Sequence, residues 1–262
     1  LSVDSLPYSS FVEASERIAS QIDGTYFEQA IAPGSFTSSS MPAIATGKLT
    51  DQIPAWGRPS SGAPRPIAEE LGNLDYNCGL WTNDYLFGST YNYDRGFSDG
   101  NLGRPSLKKR MVNAIRETPL NRMFGVFESA YFNLVEPLVS MSGDESSFYR
   151  HASQLNDSTF EWLSSREMGT PAFCWIHYMD THHPYQPPTE YLDNQSFNTH
   201  RTRGELGEFT RNAIKSDGDE LSEADLEDLR TAYDACCRYI ADELVEFIKQ
   251  LRYSGHYAPE KD

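Results

Sequence analysis

Lysine is scarce in this chain. Its 22 basic residues include only six lysines, against 38 acidic residues, for a formal net charge of −16. A surface with so few cations is unsuited to a phosphate backbone or an anionic lipid headgroup layer, which argues against nucleic acid and membrane surfaces as partners. Acid excess with little lysine is also the pattern expected of a halophilic protein, because salt screens the self-repulsion. Cysteine is sparse too. Cys78, Cys174, Cys236 and Cys237 form no C-x-x-C pair and no zinc spacing, and the adjacent Cys236 and Cys237 fall on one expected helix. This is no disulfide framework. Long hydrophobic runs are absent, and nothing approaches the roughly 18 apolar residues of a membrane span. An initiating methionine is missing as well. The opening "LSVDSLP" reads as a strand end with its loop, and the closing "YAPEKD" as a turn with nothing after it. Both ends are expected to be cut. An upstream signal or anchor stays open, with the cytoplasm slightly favoured as location.

What is present belongs to a folded chain. Hydrophobic residues make up 39% and aromatics 13% of 262 residues, enough to bury a sizeable core. Residues 1–3 read as a strand end with Asp4 at its tip. The spacing predicts a helix over 9–22, a short strand over 25–32, a short helix from residue 67, and a strand over 77–83. Helical pieces are expected over 106–139 and a helix over 158–168. "PAFCWIHYM", residues 171–179, is mostly apolar or aromatic with little alternation, the pattern of a strand buried on both faces. A long helix follows Ser222, its expected cap, with Leu226, Leu229, Tyr233, Cys237, Ile240, Leu244, Phe247 and Leu251 in steps of three and four. Strands alternating with helices predict an α/β fold. One domain is expected over 1–262, with a helical insertion at about 104–157 and a polar loop at about 193–220.

In an open α/β sheet, ligands gather outside the carboxyl ends of the strands. Asp4, the hydroxyl-rich "APGSFTSSSMPAIATG" of residues 32–47, Asn83 and "DTHHPY" of residues 180–185 all fall at such ends. A carboxylate, a hydroxyl ahead of a helix and paired histidines suit the hydrolysis of an anionic ester. The acid holds a metal, the hydroxyl attacks, and an imidazole binds the anion or protonates the leaving group.

The order and wording of these segments resemble the sulfatase family of the alkaline phosphatase superfamily. "SVDSLP" is similar to its opening metal-binding strand end. "APGSFTSSSMPAIATGK" is similar to its nucleophile segment, C-x-P-S-R-x-x-x-x-T-G. "YNYDRGFSD" is similar to F-D-R-G-F-D, and "FCWIHYMDTHHPYQPP" to F-x-x-x-H-Y-x-D-P-H-x-P-Y-x-P-P. The resemblance implies an alkaline-phosphatase-like sheet in a three-layer α/β/α arrangement. It implies Asp4 as a metal ligand, Thr37 as the nucleophile by counting back from Thr46-Gly47, and His182 and Asn83 as groups that bind the substrate anion. A neighbouring serine is the alternative to Thr37. Ser40 is expected to cap the helix over 42–46, His177 and His183 to be structural, and Asp180 to form a turn or stand behind the site. Asp94 and Arg95 are expected to form an ion pair.

A divalent metal is implied, calcium or magnesium first, with manganese or zinc as alternatives. Formylglycine is not expected, since Thr37 cannot mature as cysteine or serine does, and this favours phosphate over sulfate esters. The expected partner is a small anionic ester. Three positions depart from the pattern: Ser5 replaces a second aspartate, Ser39 a proline, and Met41 an arginine. The family's later Asp-His-Gly metal motif is absent from these residues, so the fragment alone is expected to be inactive. A non-catalytic member of the fold and a phospho-group transferase are the alternatives to a hydrolase.

Overall fold

The computed structural model describes residues 1–22, 25–53, 64–88, 93–101, 150–167, 169–192, 201–215 and 221–257. The helical pieces expected over 106–139 lie outside them. The chain divides into two compact units. One comprises Leu1–Ala30, His151–Ser164 and His177–Asp262, the other Ile31–Arg150 and Ser165–Ile176.

The strands are β1 (Ser2–Val3), β2 (Asn77–Thr82), β3 (Asp99–Gly100) and β4 (Ala172–Tyr178). They form one sheet in the order β1-β4-β2-β3. β1 runs parallel to β4, with Ser2 opposite His177 and Val3 opposite Tyr178, and β2 runs parallel to β3. β4 contributes residues to both units. Trp175, Ile176, His177 and Tyr178 are all buried, as its unbroken apolar reading predicts. β3 can lie so close to β2 because Gly100 has no side chain. A Cβ there would stand 1.8 Å from the Leu80 carbonyl oxygen.

The first unit is organised on its longest helix. Its helices are α1 (Tyr8–Ala19), α4 (Ala152–Ser164), α5 (Thr189–Leu192), α6 (Arg203–Lys215) and α7 (Glu223–Tyr253). α7 runs for 31 residues, about 46 Å at 1.5 Å per residue. Ser222 caps it as expected, accepting the Asp225 N–H while the Asp225 carboxylate returns to Ser222 N–H. Its buried face is wider than the expected stripe. Ala232, Ala235, Cys236 and Tyr239 are inside, and α1, α4 and α5 pack against the helix. Leu226 is exposed, and Asp228 is buried in its neighbourhood against Arg201 at 2.6 Å.

The second unit carries α2 (Thr37–Thr46) and α3 (Ile67–Gly72). Its core gathers Met41, Ala45, Leu80, Phe87, Tyr93 and Trp175, with Phe97 and Phe173 against them.

Two expectations are corrected. Residues 25–32 form no strand, because the pattern has no sheet to bury its apolar side: Phe27 is 73% and Ile31 92% exposed. Within the expected polar loop, residues 203–215 form α6. Its apolar face is narrow, with Leu206, Thr210 and Ala213 buried at helical spacing amid polar neighbours. The rest of that loop, 193–200 and 216–220, lies outside the described residues. Among the described residues the four cysteines are free, and no helix is long and apolar enough to cross a membrane.

Candidate metal and anion site

Asp4 leaves β1 directly at the strand's carboxyl end. Its N–H donates to the Tyr178 carbonyl at 2.9 Å, extending the β1–β4 pairing by one residue. Its own carbonyl accepts the Thr181 hydroxyl at 2.5 Å. Ser5 then takes a left-handed backbone conformation, φ 52°, and its hydroxyl donates to Asp4 Oδ1 at 2.9 Å. The residue replacing a second aspartate therefore supports the first one. Tyr233 of α7 donates to the Ser5 carbonyl at 2.7 Å and holds the turn.

The second carboxylate oxygen, Oδ2 of Asp4, lies 3.3 Å from Nε2 of His177. The His177 ring is fully buried in β4, and its Nδ1 lies 2.9 Å from the Ser2 hydroxyl. The expectation that His177 is structural is thus incomplete. Strand alternation points its ring toward β1's end, and the parallel register of Ser2 with His177 brings it onto Asp4.

The turn after β4 carries the other predicted side chains. His182 and His183 stack with ring centroids 4.2 Å apart. His182 Nδ1 lies 2.7 Å from the His183 carbonyl, which can only accept. Nδ1 is therefore the protonated nitrogen, and Nε2 of neutral His182 keeps its lone pair. Burial lowers the His183 pKa, the neighbouring His182 lowers it further, and the Asp4 carboxylate opposes both. Asp180 is buried. Its Oδ1 lies 3.3 Å from the N–H of Ala152, the first residue of α4, so it serves that helix's amino end. It does more than form a turn.

Thr37, Ser40 and Asn83 belong to the second unit. Thr37 is the first residue of α2, and Phe36 in extended conformation is its cap. Ser40 lies inside the helix and does not cap it. The helix starts five residues earlier than expected because the Phe36 carbonyl already receives the N–H groups of Ser39 and Ser40. Two other hydroxyls serve packing: Ser39 donates to the Phe36 carbonyl and Ser40 to that of Gly34, both at 2.8 Å. Met41, where the pattern has arginine, lies in the apolar core. Asn83 grips the backbone of Arg150, donating to its carbonyl and accepting its N–H at 3.1 Å. Arg95 pairs with Glu69 of α3.

Asp84 was missed. It follows β2 as Asp4 follows β1, and it is buried, with Oδ1 accepting the Leu86 N–H at 2.8 Å. A buried acid just past a strand end was the available signal. Within the first unit, Asp4 and His177 offer a carboxylate oxygen and a ring nitrogen side by side, and Asp84 offers a buried carboxylate in the second unit. A carboxylate beside an imidazole is a donor pair suited to a divalent cation, which would offset the acid's charge.

Comparison with known proteins gives one family. The model described as Sulfatase matches residues 4–259. No curated protein matches the chain.

Proposed function

As the chain belongs to the sulfatase family, we propose that it forms the core of a metal-dependent hydrolase of sulfuric or phosphoric esters with Thr37 as nucleophile. The family's α/β architecture is present in the parallel four-stranded sheet with flanking helices. The observation that carries the reading is Asp4 at the carboxyl end of β1 with the buried His177 imidazole 3.3 Å from its carboxylate. Asp4 would hold the metal through a carboxylate oxygen and His177 through a ring nitrogen. Calcium or magnesium fits the carboxylate, and manganese or zinc the imidazole. The bound ion supplies Lewis acidity toward the ester and the attacking oxygen.

The chain's own groups divide the remaining work. Thr37 stands at the first turn of α2, where backbone N–H groups and the helix dipole favour negative charge. Its Oγ1 attacks phosphorus or sulfur, loses its proton, and displaces the alcohol. Nε2 of His182, with its free lone pair, takes the Thr37 proton and passes it to the leaving oxygen, and water later releases the esterified threonine. Asn83 contributes to the anion site from the end of β2. Threonine cannot mature to formylglycine, which favours phosphate esters. The substrate is a small anionic ester.

The test is turnover of aryl phosphodiester, phosphomonoester, phosphonate and sulfate substrates by the full-length protein with calcium, magnesium, manganese or zinc. Thr37→Ala is expected to abolish it, and an undiminished rate rejects the nucleophile. A non-catalytic role is the second reading, favoured by the burial of Met41 in the core and by the grip of Asn83 on Arg150. No turnover of any of these esters, with metal bound, would select it.

A further inference from the structure

The turn that carries His182 is fastened at both ends. At its start, Oδ1 of Asp180 lies 3.3 Å from Nδ1 of His151 as well as 3.3 Å from the Ala152 N–H. At its end, the Gln186 carbonyl accepts the Nε–H of Arg203 at 3.2 Å, and the Tyr185 N–H donates to the Thr210 hydroxyl at 3.1 Å. Arg203 and Thr210 both belong to α6. The approach of α6 depends on Gly207, since a Cβ there would stand 1.9 Å from the Gln186 side-chain amide.

The two fastenings are joined to each other. A guanidinium N–H of Arg203 donates to Nε2 of His151. Followed round, Asp180, His151, Arg203 and the Gln186 carbonyl close the seven residues 180–186 into a ring. The direction of every bond is determined. Arginine has no acceptor, so Nε2 of His151 must accept, and the ring hydrogen sits on Nδ1 and points to Asp180. Asp180 is 4% exposed, and its Oδ2 has no hydrogen-bond partner among the described residues. The His151 link is therefore a large part of what holds this carboxylate.

We propose that His151 and Arg203 are positioning residues for the His182 imidazole, because they close this ring around the base of its loop. The proposal rests on the reading of His182 as the group facing the substrate anion. Neither residue touches substrate; both act by fixing the loop between β4 and α5. Displacing a reacting group by about 1 Å costs on the order of a hundredfold in rate.

The experiment combines ring-nitrogen NMR of the full chain with kinetics. His182→Asn identifies the His182 signals. In the unaltered protein they are expected to show the Nδ1-protonated tautomer. In Arg203→Ala and His151→Ala they are expected to move toward those of a rotating, solvated imidazole, with kcat falling about tenfold to a hundredfold. Arg203→Lys keeps a donor and is expected to restore part of both. If the alanine variants fail to fold, His151→Asn serves, since it retains a donor to Asp180 and loses the link to Arg203. Unchanged His182 signals in the folded variants overturn the proposal and leave the hydrolase reading standing. Shifted signals in a full-length protein without turnover support the ring and overturn that reading.

Discussion

Removing one oxygen from Tyr178 is expected to destabilise the first unit measurably. Tyr178 is fully buried in β4, and its hydroxyl donates to Oδ1 of Asn156 on α4 at 2.5 Å. Asn156 is itself buried, and its amide donates to Oε2 of Glu243 on α7 at 3.1 Å. One hydroxyl thus anchors a chain of polar groups that links the sheet to two helices. Burial raises the Tyr178 pKa well above the usual tyrosine value, and the Asp180 charge adds to it, so the group is a neutral donor across the working range. Tyr178→Phe keeps the ring and its packing and leaves the Asn156 oxygen buried with its donor gone. An unsatisfied buried acceptor costs about 1–3 kcal/mol. At about 2–4 °C per kcal/mol for a chain of this size, the melting temperature should fall by about 2–12 °C. Thermal unfolding followed by circular dichroism or calorimetry measures it. Under the proposed function, turnover by the full-length protein should survive, because strand alternation puts Tyr178 on the face opposite His177. A fall of less than about 1 °C would refute the argument, since the Asn156 oxygen would then have another partner.

Further outcomes follow from the same physics. Burial raises the Glu243 pKa, and Asp180, Asp157 and Asp242 add to it against the Asn156 hydrogen bond. Its stabilising protonation is complete below the unfolded value of about 4.5 and is lost as pH rises through the raised folded value. Glu243→Gln should therefore match the parent's melting temperature near pH 4 and exceed it at pH 7; equal curves at both would refute this. Gly100→Ala places a Cβ 1.8 Å from the Leu80 carbonyl oxygen. Neither backbone can yield without parting β3 from β2, so chemical denaturation should show a loss of about 3 kcal/mol. The excess of acidic residues predicts a melting temperature that climbs from low to multimolar KCl; a maximum at low salt would reject halophilic adaptation.

Much of the fold was legible because the relevant signals are local. "AFCWIHY" announces a buried parallel strand by its unbroken apolar composition, and β4 forms there. Ser222 with Asp225 announces a helix start, and α7 begins at that point. Asp4 was legible as an acid at a strand tip, and the hydroxyl segment as lying ahead of a helix, although α2 already begins inside it at Thr37. The misses are equally physical. Phe27 and Ile31 look like strand residues, but a strand needs a neighbour, and the alternation of residues 25–32 says nothing about one. α6 was hidden because a single buried stripe of Leu206, Thr210 and Ala213 is diluted by glycine and charge.

By itself the sequence determined the α/β class, the family and the chemical types available at the strand ends, since composition, periodicity and motif order are properties of the chain alone. The tertiary structure decided which of those groups meet. Register placed His177 against Asp4, since only the pairing of Ser2 with His177 brings β4's imidazole to β1's end. Helix packing gave His151 and Arg203 a place around the His182 loop, though 52 residues separate them in the chain. Such contacts between distant residues are made by folding and leave no periodic trace in the order of residues.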